Sequence, residues 1–171
     1  MLRKKKLYSR PRKAFETSRI KEENALLALY GLKNKREVWK ALAKINYFRR
    51  RAQELARAPI EEQENLFGKL NEIGLKANSI ADVLGLKVEN LLERRLPTIV
   101  AKLGLASTVK HARQSVVHKK VLVNGNIINI PSYLVKVAEE KSIKLKENKK
   151  PRKKEEKAEE KVQKVTEANN G

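Results

Sequence analysis

The chain has 171 residues, with 40 Lys plus Arg against 20 Asp plus Glu and a formal net charge of +20. So large a charge opposes folding by self-repulsion and suits a polyanionic partner; nucleic acid and an anionic membrane surface fit, whereas an acidic small-molecule substrate needs no such field. The chain lacks cysteine, which excludes disulfides and thiolate metal ligands.

The first residues, MLRKKKLYSRPRK, are basic without a following apolar stretch, so they do not read as a secretory signal. Residues 1–17 are expected to form an extended basic arm, since Pro11 and dense Lys and Arg disfavour an isolated helix. The longest apolar run, Ala25 to Tyr30, falls far below the roughly 20 residues that span a bilayer. No membrane partner is expected. The charge is uneven. Residues 1–51 carry 17 basic and 4 acidic side chains, residues 52–90 carry 4 and 7, and residues 91–146 carry 11 and 3. Two basic blocks flank a mildly acidic one, the pattern of two anion-contacting surfaces joined by a packed spacer.

Residues 18–90 read as a helical region. Ser18 is a candidate cap for a helix bearing Leu26, Leu27 and Tyr30, and Gly31 can end it. Asn34 with Glu37 makes a capping-box pattern for the next helix. There Val38, Ala41, Leu42, Ile45, Phe48, Ala52 and Leu55 recur at spacings of three and four and form one apolar face. Arg36, Lys40, Lys44, Arg50 and Arg57 lie on the other. Trp39 is read as a packing residue rather than a stacking platform. A third helix runs from about Pro59 to Ile73 and closes at Gly74. A short fourth is capped by Ser79 with Asp82 and ends at Gly85. Glu61, Glu62 and Glu64 favour the positive end of the third helix rather than any catalysis.

Residues 91–146 change period. Leu91, Leu92, Leu96, Ile99, Val100 and Leu103 mark helical segments, with a restart near Pro97. Ser107 is expected to cap a helix whose inward face is Val109, Ala112, Val116 and Val117 and whose outer face offers Lys110, Arg113 and Gln114. Asn124-Gly125 signals a hairpin within 121–128. Tyr133 to Val137 and Ile143 to Leu145 read as further strands. The expected fold class is therefore α+β: a helical amino-terminal region plus a small module of two helices packed on a short antiparallel sheet. Residues 147–171 mix both charges and are poor in large apolar side chains, so a disordered tail is expected.

Catalytic patterns are missing. His111 and His118 have no partner ligands for a metal, and Asp82 is the only aspartate. The sequence shows no Walker loop, dinucleotide fingerprint or nucleophile elbow. No catalytic residue, cofactor, metal or small-molecule substrate is expected.

The segment ERRLPTIVAKLGLASTVKHARQSVVHKKVLVNGNIINIPSYLV, residues 93–135, resembles the small RNA-binding module named after ribosomal protein four of the small subunit. Arg95-Leu96, Leu103-Gly104-Leu105-Ala106, His111-Ala112-Arg113-Gln114, Val123-Asn124-Gly125 and Pro131-Ser132-Tyr133 carry the likeness. Residues 19–56 are similar to the archaeal and eukaryotic form of that ribosomal protein family. The resemblance implies a cytoplasmic, ribosome-bound structural protein. It would bind small-subunit rRNA early in assembly, lie beside neighbouring small-subunit proteins, and sit near the side where mRNA enters. Within the module it implies rRNA contacts at Arg94, Arg95, Thr108, Lys110, His111, Arg113, Gln114, Lys119, Lys120 and Asn124. Thr108-Val109 stands where many relatives have Thr-Arg, and Lys119-Lys120 where many have Gly-His. From the charge pattern, Arg49, Arg50 and Arg51 are expected to grip a second set of phosphates.

Two other functions share parts of this pattern. An RNA-modifying or accessory factor could carry the same module, but an enzyme needs a catalytic domain of ~100 residues, which no segment supplies. A DNA-binding helical protein could present Arg113 and Gln114 to a major groove.

Overall fold

The computed structural model describes residues 7–146. The first six residues of the basic arm and the charged tail at 147–171 lie outside the described residues. Seven α-helices come first: α1 (Thr17–Leu29), α2 (Lys35–Leu55), α3 (Ile60–Ile73), α4 (Ile80–Gly85), α5 (Val88–Glu93), α6 (Leu96–Lys102) and α7 (Val109–Val117). Three short strands follow: β1 (Val121–Val123), β2 (Asn126–Ile127) and β3 (Lys144–Leu145), with a 3-10 helix at Val137–Ser142 between the last two. Among the described residues no helix is long and apolar enough to cross a membrane.

The helical half is organised by the apolar stripe of α2. Val38, Ala41, Ile45, Ala52 and Leu55 are buried along it. Val38, Ala41, Ile45 and Ala52 pack with Tyr30, Leu70, Val83, Leu91 and Leu92 in one cluster. Leu42, expected on this stripe, is 42% exposed instead. Burying each large side chain is worth about 1.5–3 kcal/mol against the entropy of ordering it. Trp39 packs at the edge of this core and donates its indole N–H to Glu23 Oε1 at 2.8 Å. Glu23 is buried and also accepts from Arg19 at 2.7 Å. Burial works against its ionisation, but the bonds from Trp39 and Arg19 prevail and lower its pKa.

A second cluster joins Leu96, Ile99, Val100, Ala112, Val116, Val121, Val123, Val135 and Ile143. Here α6 and α7 pack against each other beside an antiparallel sheet of order β2-β1-β3. The β1–β2 hairpin pairs Val123 with Asn126, and its turn places Asn124 at φ 51° and Gly125 at φ 80°. Two successive positive φ angles are what a two-residue turn of matching twist requires, and Asn-Gly is the pair that adopts them most readily. The α+β architecture is thus a helical region joined to a two-helix, three-strand module.

Several local expectations shift. The first helix starts at Thr17, with Glu16 rather than Ser18 preceding it. The third begins at Ile60, with Pro59 in the capping position. Helix α7 is capped by Thr108, whose hydroxyl accepts from the His111 amide at 3.1 Å, and not by Ser107. The expected strand at Tyr133–Val137 shrinks to a single bridge between Leu134 and Arg95. Glu139 accepts from both the Tyr133 hydroxyl and the Lys136 amide, and this favours the 3-10 turn from Val137 over an extended strand. By contrast, Ser79 and Asp82 form the expected reciprocal cap of α4.

Candidate nucleic-acid interface

The surface is built around the join between the two halves. Asn34 precedes α2, but its side chain makes no capping bond. The Glu37 carboxylate accepts from the Lys33 amide at 3.4 Å and also reaches two arginines far along the chain. Arg113 donates Nη2 to Oε1 at 2.7 Å and Nη1 to Oε2 at 3.0 Å. Arg95 donates Nη2 to Oε2 at 2.7 Å. All three side chains are largely enclosed, with exposures of 18% for Glu37, 8% for Arg95 and 20% for Arg113. Burial alone would raise the Glu37 pKa. The hydrogen bonds from Arg113 and Arg95 and the field of their charges more than offset that, and hold the carboxyl at about 2.

Two glycines complete the join. Gly31, at φ 56°, lies against the start of α7, where an added Cβ would stand 3.2 Å from the Lys110 backbone nitrogen. Its carbonyl accepts weakly from Arg113 at 3.4 Å. Gly74, at φ 86°, leaves room for Arg94, whose Cζ and Nε would lie 2.7 Å from a Cβ at that position. Arg94 reaches through that space to donate Nε to the Ile73 carbonyl at 2.5 Å and Nη2 to the Val135 carbonyl at 3.1 Å, and it pairs with Glu140. Helix α3 is thereby tied to the 3-10 segment of the module.

This geometry divides the residues expected to touch RNA. Arg94, Arg95 and Arg113 are spent on intrachain bonds. Arg49 is half-buried and donates to the Leu86 carbonyl at 2.7 Å. Arg51 pairs with Glu54 at 3.3 Å on the surface, and Thr108 caps α7. Arg50, Lys110, His111, Gln114, Lys119, Lys120 and Asn124 are exposed. His111 lies 3.5 Å from the Ser107 hydroxyl. Among the described residues, Arg50, Lys110, Lys119 and Lys120 make no ion pair. Lys110, Gln114 and His118 follow one another by one helical turn, and Lys119 and Lys120 continue from the end of α7 into β1. They give the exposed surface of α7 and its link to β1 three lysines without an ion pair among the described residues. On the other half, α2 exposes Arg36, Lys40, Lys44 and Arg50, and Arg57 is exposed in the turn that follows it.

The joining roles of Glu37 and Gly74 leave little trace in the sequence. The only signal for Glu37 is its own charge: it is one of 4 acids among 17 bases in residues 1–51. An acid kept in so basic a block needs a cationic neighbour, but sequence spacing cannot say that the neighbours lie 58 and 76 residues away.

The S4 domain family matches residues 94–141. The chain is 46% identical over 145 residues to small ribosomal subunit protein uS4 of Methanothermobacter thermautotrophicus, covering 81% of this chain and 85% of that protein. It is 43% identical over 150 residues to small ribosomal subunit protein uS4 of Methanococcus aeolicus, covering 84% and 85% respectively. The like-named protein of Ignicoccus hospitalis is 41% identical over 145 residues, covering 81% of this chain and 87% of its own.

Proposed function

Since the chain belongs to the small ribosomal subunit protein uS4 family, we propose that it works as a structural, non-catalytic constituent of the small ribosomal subunit that binds rRNA directly. It does so in the cytoplasm, among neighbouring subunit proteins, early in assembly. The observation that carries this reading is the pair of exposed cationic faces, on α7–β1 and on α2, held in fixed relation by the Glu37 and Arg94 joins. A fixed spacing between two phosphate-binding faces lets the second contact form at high effective concentration. It suits RNA helices that meet at a junction, which are recognised by shape and backbone.

In this division of labour Arg50, Lys110, His111, Gln114, Lys119, Lys120 and Asn124 contact rRNA, and Arg94, Arg95 and Arg113 hold the faces in place. Thr108 serves through the cap that starts α7. Arg49 and Arg51 support α2 and its surroundings. A position on the side where mRNA enters belongs to the same proposal. The working units are the basic arm, the helical region to about residue 90, the module to 146 and the charged tail.

The alternative of duplex-DNA reading is tested at matched salt. With Arg113 held by Glu37, the recognition pair Arg113 and Gln114 loses its arginine. The expected result is preference for a small-subunit rRNA junction over duplex DNA of equal length, with log affinity falling by about 0.7–0.9 per phosphate neutralised as log salt rises. Equal affinity for the two nucleic acids contradicts the reading.

A further inference from the structure

A groove of about 690 Å³ runs along α2, floored by α5 and walled by the segment at 131–134. Leu91 and Leu92 at its base are 4% and 1% exposed, and Ala41 and Leu134 extend the apolar lining. Lys40, Lys44 and Tyr47 line one side at successive turns of α2. Arg95 and Arg113 also line it, and their charges are both engaged by Glu37. Lys40 and Lys44 supply the remaining positive charge and make no ion pair among the described residues, the Lys44 ammonium lying 5.9 Å from the centre of the Phe48 ring. Tyr47 is 63% exposed. Among the described residues its ring meets one aromatic neighbour, Phe48, tilted at 5.8 Å.

We infer that this groove receives an unpaired nucleotide of the bound RNA, its base against Tyr47 and the apolar floor and its phosphates beside Lys40 and Lys44. The volume lies within the range of small-ligand sites. An apolar floor asks for a flat or apolar group, and two ammoniums without a carboxylate partner among the described residues ask for an anion. A nucleotide supplies both in one unit, and stacking on an aromatic ring is how proteins commonly hold bases turned out of RNA helices. An acidic peptide from a neighbouring protein would satisfy the charge as well. The exposed aromatic face beside the two lysines favours the base.

The inference rests on the rRNA-binding reading, and the test separates the two. The full-length chain and its Tyr47→Ala, Tyr47→Phe and Lys40→Ala/Lys44→Ala variants are titrated with a small-subunit rRNA junction across a salt series. Tyr47→Ala should lose about ten-fold or more in affinity with an unchanged salt slope, because stacking is insensitive to salt. Tyr47→Phe should stay within about two-fold of the parent. The double lysine variant should flatten the slope by about one to two. Tyr47 is exposed, so these variants keep the fold. Parent-like binding by Tyr47→Ala overturns the nucleotide site, including the case in which a peptide fills the groove. Equal loss in Tyr47→Ala and Tyr47→Phe assigns the contact to the hydroxyl and overturns stacking. If the parent itself does not prefer the rRNA junction, it is the underlying reading that fails.

Discussion

Replacing Glu37 with alanine is expected to cost about 3 kcal/mol of stability and to lower the thermal midpoint by about 10 °C. The change leaves Arg95 and Arg113 enclosed, side by side and without their shared anion. Removing one member of an enclosed ion pair is worse than removing the whole pair, because the remaining charges keep their desolvation penalty. The pH dependence follows from the same group. In the unfolded chain the carboxyl titrates near its ordinary 4.5, and in the fold it is held at about 2. The folded state therefore binds the proton less readily. The stabilisation is fully present above the unfolded value and is lost as pH falls from there through the folded value. Its size is on the order of 3 kcal/mol, matching the alanine substitution. Denaturant midpoints measured between neutral pH and pH of about 2 should show a loss in the parent that is much smaller in Glu37→Ala. Coincident pH profiles for the two proteins would show that the Glu37 bonds do not hold the halves together.

Changing Lys110, Lys119 and Lys120 together to alanine should weaken rRNA binding by about ten- to a hundred-fold near physiological salt and flatten the salt slope by about two to three. These side chains are exposed and make no ion pair among the described residues, so the substitution removes cations without leaving a buried group unpaired. Lys119 already holds φ at 59°, and alanine there meets much the same backbone cost as lysine. Stability should stay within about 1 kcal/mol of the parent. The contrast with Glu37→Ala is informative: one substitution should act mainly on stability, the other mainly on affinity. A lysine variant with a parent-like salt slope would remove the α7–β1 face from the interface.

Much of this fold is legible in the residues. The α2 stripe, the Ser79–Asp82 cap, the Asn124-Gly125 turn and the helix ends at Gly31 and Gly74 are set by interactions within a few residues, so spacing reveals them. Capping becomes ambiguous where neighbours compete. Ser107 and Thr108 can each start α7, and only the extended backbone at Thr108 with its bond to His111 decides between them. The strand expected at 133–137 failed for a related reason: Glu139 gives the chain a local turn that alternation of apolar residues cannot disclose. The candidate interface was harder to read. A surface arginine and a joining arginine look alike in sequence, since both are cations on a helix. Arg113 stands beside Lys110 and Gln114, yet it points to Glu37 while they face outward. Resemblance to a family marks which positions matter, but the partner of each side chain depends on how two distant segments dock.

Two cationic faces at fixed separation are the centre of this account, and mapping the rRNA backbone protected by the full-length protein tests them most directly. Hydroxyl-radical cleavage of a small-subunit rRNA junction should show two separate protected patches with the parent protein. The Lys110→Ala/Lys119→Ala/Lys120→Ala variant should lose one patch and keep the other. A variant with alanine at Arg36 and Arg50, exposed on α2, and at Arg57, exposed in the turn after it, should do the reverse. A single continuous patch, or one that only the α7–β1 substitutions diminish, would contradict the two-face arrangement and leave the α2 surface to partners other than rRNA.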